Sequence, residues 1–153
     1  MRIVGLDVGQ RRIGVAVSDA SRTLARPLGV VEARALDSGT AARVAGEIAR
    51  LLGDEDDGVG LVVVGLPRRL DGSDNDMTAP VQQFAGRLGQ EMNVPVVLQD
   101  ERLTSVEAES RLAVREKDWR ARKKKLDAAA AAIILQDYLD AASAKATARK
   151  LET

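Results

Sequence analysis

Asp7 is the residue near the start of this chain whose placement most suggests chemistry. It interrupts the apolar run of residues 3–8, which is typical of a strand covered on both faces. On such a strand Asp7 shares a face with Ile3 and Gly5. An ionised carboxylate there costs several kcal/mol unless it is paired, hydrogen-bonded or bound to a metal. Capping of backbone N–H groups in the turn at Gly9 is the alternative explanation.

Two further acidic residues, Glu101 and Asp127, also stand beside apolar segments. Glu101 follows a predicted strand, at the carboxyl end where open α/β sheets place their ligands. Asp127 lies at the edge of the core-facing side of the last predicted helix, counted at about 100° per residue. Taken alone, Glu101 could pair with Arg102 at the surface, and Asp127 could complement the helix dipole. With Asp7 they form a candidate catalytic and metal-binding set.

Such a set requires a cation, because carboxylates in contact repel each other. Mg²⁺ and Mn²⁺ prefer oxygen ligands. Two such ions about 3.5–4 Å apart can activate water and stabilise the leaving oxygen of a phosphodiester. The chain contains no His and no Cys. Their absence excludes Ser-His-Asp triads, cysteine nucleophiles, disulfides and most zinc sites, and leaves hard-metal chemistry on carboxylates.

The charge distribution offers candidate phosphate contacts, although Lys plus Arg (23) equals Asp plus Glu (23) in number. Basic residues outnumber acidic ones over residues 111–125, and one basic face of a neutral protein can bind nucleic acid. A solvated surface is the alternative for each charged run. The candidate nucleic-acid-binding residues are Arg12, Arg102, Arg122, Lys123, Lys124 and Lys125.

The elements that must position these residues belong to one domain of α/β class, because 153 residues fit a single domain. Three antiparallel-type strands followed by two strand–helix alternations predict a mixed sheet with helices on both faces. No signal peptide is visible and no apolar block approaches the roughly 20 residues that span a bilayer, so we expect a soluble cytoplasmic protein. The predicted strands are 2–8, 12–18, 27–33 (starting at Pro27), 61–65 and 95–99. One predicted helix is capped by Ser38 or Thr40 and stopped by Gly53, one begins at Thr78, and one is capped by Thr104. The last predicted helix runs from about Leu126 to Ala142 before a fraying tail, 143–153.

Four ordered blocks of the sequence resemble one known family. Residues 5–19, GLDVGQRRIGVAVSD, are similar to the opening motif of the YqgF family, nucleases of pre-16S ribosomal RNA that are also described as Holliday-junction-resolvase-like. The other blocks are VGLP at 64–67 with DGS at 71–73, DERLTS at 100–105, and the segment 126–136. The resemblance covers nearly the whole chain except the tail.

The resemblance implies an RNase H-like fold, a five-stranded mixed β-sheet flanked by α-helices, over residues 1–142. It also implies a metal-dependent nuclease site on Asp7, Glu101 and Asp127, using Mg²⁺ or Mn²⁺, with two ions expected. The implied partner is structured RNA in the 5′-end maturation of pre-16S ribosomal RNA, with pre-ribosomal association. A Holliday-junction DNA resolvase and a non-catalytic RNA-binding or transcription factor are the alternatives.

Overall fold

Five strands and three helices make up the part of the chain that the computed structural model describes, which is residues 1–33, 35–53, 58–100 and 119–152. The strands form one mixed β-sheet, and the helices cover both of its faces. This arrangement confirms the predicted α/β fold class. The predicted helix after Thr104 lies outside the described residues. In chain order the elements are β1 (Arg2–Val8), β2 (Arg12–Ser18), β3 (Ala25–Glu32), α1 (Ser38–Leu52), β4 (Val59–Leu66), α2 (Thr78–Met92), β5 (Val96–Asp100) and α3 (Trp119–Glu152).

The strand order places the ends of three strands at one edge of the sheet. The order is β3-β2-β1-β4-β5, in which β1 pairs antiparallel with β2 and parallel with β4, and β4 pairs parallel with β5. Parallel strands end at the same side of a sheet, so the carboxyl ends of β1, β4 and β5 lie together. We call this side the carboxyl edge. Asp7 is the last residue but one of β1, and β5 ends at Asp100.

Alternation along β1 divides the core into two layers. Val4, Leu6 and Val8 belong to the larger apolar cluster, which also contains the buried residues of α1 and α2. Ile3, on the opposite face, belongs to a smaller cluster built mainly on α3. The α3 residues buried in that second cluster are Ala131, Ile134, Leu135 and Leu139.

Strand β3 begins at Ala25, two residues earlier than the sequence predicts, so that Pro27 lies inside the strand rather than at its start. The pairing of β2 with β3 shifts register between Val15, opposite Gly29, and Ala16, opposite Pro27. Within the described sheet β3 is an edge strand. Proline lacks a backbone N–H and is tolerated at bulges and on edge strands, where no ladder donor is required.

The N-terminal cap of α1 is Asp37, not Ser38 or Thr40 as predicted. Its side chain accepts a hydrogen bond from the Thr40 backbone N–H at 2.8 Å, and this bond is the main reason that the pKa of the Asp37 carboxyl is lowered. Aspartate is among the preferred residues at this position, because its carboxylate satisfies an otherwise unpaired N–H. Gly53, with φ 53°, ends the helix as the sequence predicts.

Helix α3 is longer than predicted at both ends. It begins at Trp119 within the basic run, and it continues through Glu152 where we expected a fraying tail. Residues 143–152 contain Ala, Lys and Arg but no Gly or Pro, and such residues have high helix propensity. Elongating an existing helix also avoids the cost of nucleation. Among the described helices, none is long and apolar enough to cross a membrane.

We predict that Gly5→Ala destabilises the fold through α3. A Cβ on Gly5 would lie 2.7 Å from the Cβ of Leu135 and 3.2 Å from the carbonyl oxygen of Ala131. Forcing an extra methyl group into a packed core costs about 1–3 kcal/mol. Urea unfolding of the purified variant measures this loss.

Gly86→Ala is the matched control, because Gly86 is exposed on α2 and no atom would lie within 4 Å of its Cβ. This change should raise the free energy of unfolding by about 0.5–1 kcal/mol, since alanine is the better helix former. Equal effects of the two substitutions would contradict the close packing of α3 on β1.

Candidate active site

Asp7 lies beside a glycine across the first hairpin of the sheet. The register of β1 and β2 places Asp7 directly opposite Gly14. Residues that face each other in this way carry their side chains on the same face of the sheet. Asp7 is half-buried, and the opposed glycine leaves the space above the pair open to another element. This face is the one that α3 covers.

Helix α3 fills that space with the backbone of Asp127. A Cβ on Gly14 would lie 2.6 Å from the carbonyl carbon of Asp127 and 3.2 Å from the backbone N of Ala128, and closer still to the Asp127 carbonyl oxygen. No side chain fits there without moving the helix. The helix therefore reaches the Asp7–Gly14 pair at Asp127. Two of the three predicted carboxylate residues, 120 positions apart in sequence, meet at this point.

A second contact fixes the direction in which α3 crosses the sheet. Gly5, two residues before Asp7, lies in close contact with Leu135 and Ala131 of α3. Gly14 makes the corresponding close contact with Asp127. The helix thus runs antiparallel to β1, with Asp127 towards the carboxyl edge. Sequence reasoning treated both glycines as parts of a motif. Gly5 shares a face with Asp7 by alternation along β1, and Gly14 does so by the register of β1 with β2.

Gln136 holds the register of α3, a role that the sequence analysis missed. Its Oε1 accepts a hydrogen bond from the backbone N–H of Ala25 at 2.9 Å, and its Nε2 donates to the carbonyl oxygen of Thr23 at 3.0 Å. The Nε2 group also donates to Oδ1 of Asp140 at 2.9 Å. A side-chain amide that pairs with an exposed strand end resists sliding of the helix along the sheet. Gln136 therefore helps to keep the backbone of Asp127 over the Asp7–Gly14 pair.

The third predicted carboxylate, Glu101, and its neighbour Arg102 lie outside the described residues. Strand β5 ends at Asp100, which pairs with Leu66 of β4. Among the described residues, no group of three or more His, Cys, Asp or Glu side chains could hold a metal ion. The two described members, Asp7 and Asp127, offer only oxygen donors, which is the ligand type that Mg²⁺ and Mn²⁺ prefer.

A cavity of about 640 Å³ opens at the turn between β1 and β2. Its described lining consists of Gln10, Arg11, Arg12 and Glu32. In the register of β2 with β3, Arg12 lies opposite Glu32. Along β2, Arg12 is on the same face as Gly14, which follows two residues later. The Nη1 atom of Arg12 is buried and makes no hydrogen bond within the described part of the chain. A buried charged donor without an acceptor is costly, and an anion bound beside it would supply the missing acceptor.

The basic residues Arg122 to Lys125 occupy the first turns of α3, just before Asp127. The helix dipole disfavours cations within the first turn, by about 0.3–1 kcal/mol each, and of these four residues only Arg122 lies there. No acidic residue lies in the first turn to compensate.

The loop after β4 lies at the carboxyl edge and is held by its own hydrogen bonds. Asp71 Oδ1 accepts from the backbone N–H of Ser73 at 2.9 Å and from its hydroxyl at 2.6 Å. Arg68 Nη1 donates to the carbonyl oxygen of Gly72 at 3.1 Å and lies 3.4 Å from Asp74. The hydroxyl of Thr78 donates to the carbonyl oxygen of Pro67 at 2.6 Å, tying the loop to α2.

Two solved structures share the fold. The RuvC protein of T. thermophilus, solved in complex with a Holliday junction substrate, has a TM-score of 0.52 and 19% sequence identity, covering 94% of this chain and 96% of that one. The Holliday junction resolvase of fowlpox virus has a TM-score of 0.52 and 14% identity, covering 92% and 99%. At these identities the likeness shows the architecture alone, and RuvC has the RNase H-like resolvase fold.

Sequence comparisons identify the family. A family model described as RuvX, Holliday junction resolvase, matches residues 1–141. A protein of Chloroflexus aggregans named "Putative pre-16S rRNA nuclease" is 45% identical over 139 residues, which is 91% of this chain and 93% of the relative. A protein of the same name from Anaeromyxobacter sp. is 44% identical over 142 residues, 92% of this chain and 97% of the relative. These matches confirm the resemblance found in the sequence: the chain belongs to the RuvX (YqgF) family of nucleases.

Proposed function

We propose that this protein is a metal-dependent endonuclease that hydrolyses a phosphodiester bond in the 5′-end maturation of pre-16S ribosomal RNA. The observation that carries the proposal is the meeting of Asp7 and Asp127 over Gly14. The family is one of nucleases, and relatives at 45% and 44% identity carry a pre-16S rRNA nuclease name. The expected place of action is the cytoplasm, on RNA in pre-ribosomal particles.

The proposed metal ligands are Asp7, Asp127 and Glu101, with Mg²⁺ or Mn²⁺ as the ion and two ions expected. The backbone of Asp127 lies over the Asp7–Gly14 pair, and Glu101 directly follows in sequence a strand that ends at the same edge of the sheet. When bound, such ions activate a water molecule and neutralise charge on the cleaved phosphodiester. A cation also removes the repulsion that two neighbouring carboxylates would otherwise suffer.

The remaining proposed roles concern binding and orientation of the substrate. Arg12 offers a buried, unsatisfied donor on the face that carries Asp7, so it is suited to a phosphate oxygen near the cleaved bond. Arg122, Lys123, Lys124 and Lys125 precede Asp127 on α3, and Arg102 follows Glu101 in sequence. Phosphate contacts of this kind fix the register of a nucleic acid without reading its bases.

Cleavage of a four-way DNA junction is the second candidate activity. It is favoured by the description of the matching family model as a Holliday junction resolvase. The carboxylate chemistry is the same for either polymer, so the two candidates differ only in the substrate that is bound. A non-catalytic RNA-binding factor is the third, and it predicts binding without cleavage.

We predict that Asp7→Asn and Asp127→Asn each reduce cleavage of a pre-16S RNA transcript at least about a hundredfold in Mg²⁺, because loss of a metal ligand removes several kcal/mol of transition-state stabilisation. Glu91→Gln is the control, since Glu91 lies exposed on α2, on the face of the sheet opposite α3. It should cleave like the wild type. Single-turnover assays on the RNA and on a four-way DNA junction, with and without metal, measure these rates.

Equal residual cleavage by the wild type and both Asn variants would indicate a contaminating nuclease and overturn the assignment. Cleavage of the junction but not of the RNA would establish the second candidate. Tight RNA binding with no cleavage in either metal would leave only a binding factor.

For Arg12 we predict that the Gln variant loses RNA affinity without losing stability. Removing a buried donor that has no partner leaves no acceptor unpaired, so the free energy of unfolding should hold or rise. The slope of log K for RNA binding, plotted against the logarithm of the salt concentration, should become shallower by about 0.7–0.9, which is the contribution of one phosphate contact. Fluorescence anisotropy and urea unfolding measure the two quantities.

Arg87→Gln serves as the control for Arg12. Its Nη1 donates to the carbonyl oxygen of Leu36 at 2.9 Å on the opposite side of the sheet. That variant should lose about 0.5–1.5 kcal/mol of stability and keep its RNA affinity. Should Arg12→Gln instead lose stability and bind RNA normally, Arg12 is a structural residue.

A further inference from the structure

The last turns of α3 extend beyond the part of the chain that defines the family. The family match ends at residue 141, whereas the helix continues to Glu152. The last buried residue of α3 is Leu139, and residues 141–148 are all exposed. We call residues 142–152 the arm. It is a helix without tertiary packing in the part whose side chains the structure describes.

The composition of the arm suits one kind of partner. Three cations, Lys145, Arg149 and Lys150, stand against one carboxylate, Glu152. Leu151 is its only large apolar residue, and the rest are mainly alanines. An arm without an apolar stripe cannot form a coiled coil or lie in a membrane surface, because both require a continuous apolar face. The net positive charge of this helix, which has no apolar face, is complementary to the negative charge of a phosphate backbone.

The backbone of the arm is helical. Alanine is the strongest helix former, and the packed part of α3 supplies the nucleus from which the arm extends. The hydroxyl of Thr147 donates to the carbonyl oxygen of Ser143 at 3.1 Å within it. Because the helix is already formed, less ordering entropy is lost when it binds.

The direction of α3 sets where the arm can act. The helix runs antiparallel to β1, from Asp127 near Gly14 past Leu135 near Gly5, so the arm leaves the domain at the end opposite the carboxyl edge. At the helical rise of roughly 1.5 Å per residue, Lys145 lies about 27 Å along the axis from Asp127. A nucleic acid cut beside Asp127 must extend over that distance to touch the arm.

We infer that the arm binds the phosphate backbone of the substrate RNA at a position remote from the cleaved bond. The inference rests on the proposed function for the identity of the polymer. It assigns the arm to affinity alone: the arm holds long RNA on the enzyme and takes no part in hydrolysis.

The test compares a triple variant, Lys145→Gln with Arg149→Gln and Lys150→Gln, with the wild type. Glutamine preserves helix propensity, which circular dichroism verifies. Fluorescence anisotropy without metal measures binding of a labelled pre-16S leader transcript over a range of KCl concentrations. We expect the Kd to rise about tenfold or more, and the slope of log K against log salt to fall by about 2, for three lost phosphate contacts.

A duplex RNA of about six base pairs is too short to span from Asp127 to the arm, and the triple variant should bind it like the wild type. The single-turnover cleavage rate at saturating enzyme should also be unchanged. The matched control neutralises three exposed arginines on α1 and α2, across the sheet from α3, and should bind the long RNA normally: Arg43→Gln, Arg50→Gln and Arg87→Gln.

The inference is overturned if the triple variant binds the long RNA with unchanged Kd and slope. It is equally overturned if the arginine control loses as much affinity, or if the short RNA is affected as strongly as the long one. A wild-type protein that binds the long RNA without cleaving it would remove the proposed function, while the anisotropy series would still decide the role of the arm.

Discussion

The missing side chain at Gly14 is the constraint on which the geometry of the site depends. Any Cβ there would collide with the backbone of Asp127, so the helix can reach the Asp7–Gly14 pair at Asp127 only because this position is glycine. Gly5 allows the same close approach two residues before Asp7 on β1. The two glycines together let α3 lie directly on β1 and β2, and at Gly14 the contact is made by backbone atoms, which cannot rotate away as a side chain can.

The rest of the fold supports that contact from three sides. The larger apolar core fixes β1 and β2 against α1 and α2, so the strands cannot yield to the helix. Ile134, Leu135 and Leu139 bury the apolar side of α3 on the opposite face. Gln136 adds hydrogen bonds to Thr23 and Ala25, which set the helix along its axis. A half-buried carboxylate is thereby held at the end of an otherwise apolar strand, where a cation is the natural partner.

Much of this arrangement can be predicted from the sequence, and the failures have physical causes. Strands β1 and β2 follow from apolar patterning, and Asp7 stands out because it breaks that pattern. The position of Pro27 depends on a register shift between two strands, which no local signal encodes. The cap at Asp37 lies one residue before the predicted Ser38, since neighbouring polar residues compete for the same role. The contact at Gly14 could not be predicted, because a glycine does not indicate which atom will approach it.

Mn²⁺ binding by the purified protein tests most directly whether Asp7 and Asp127 hold a common metal. Isothermal titration calorimetry or the electron paramagnetic resonance signal of the free ion measures this binding. If Asp7 and Asp127 share a metal, Asp127→Asn should weaken Mn²⁺ binding at least about tenfold, since one of few charged ligands is lost. Glu91→Gln on α2 should bind as the wild type does. Unchanged Mn²⁺ affinity in Asp127→Asn would contradict the claim that the helix delivers a metal ligand to Asp7.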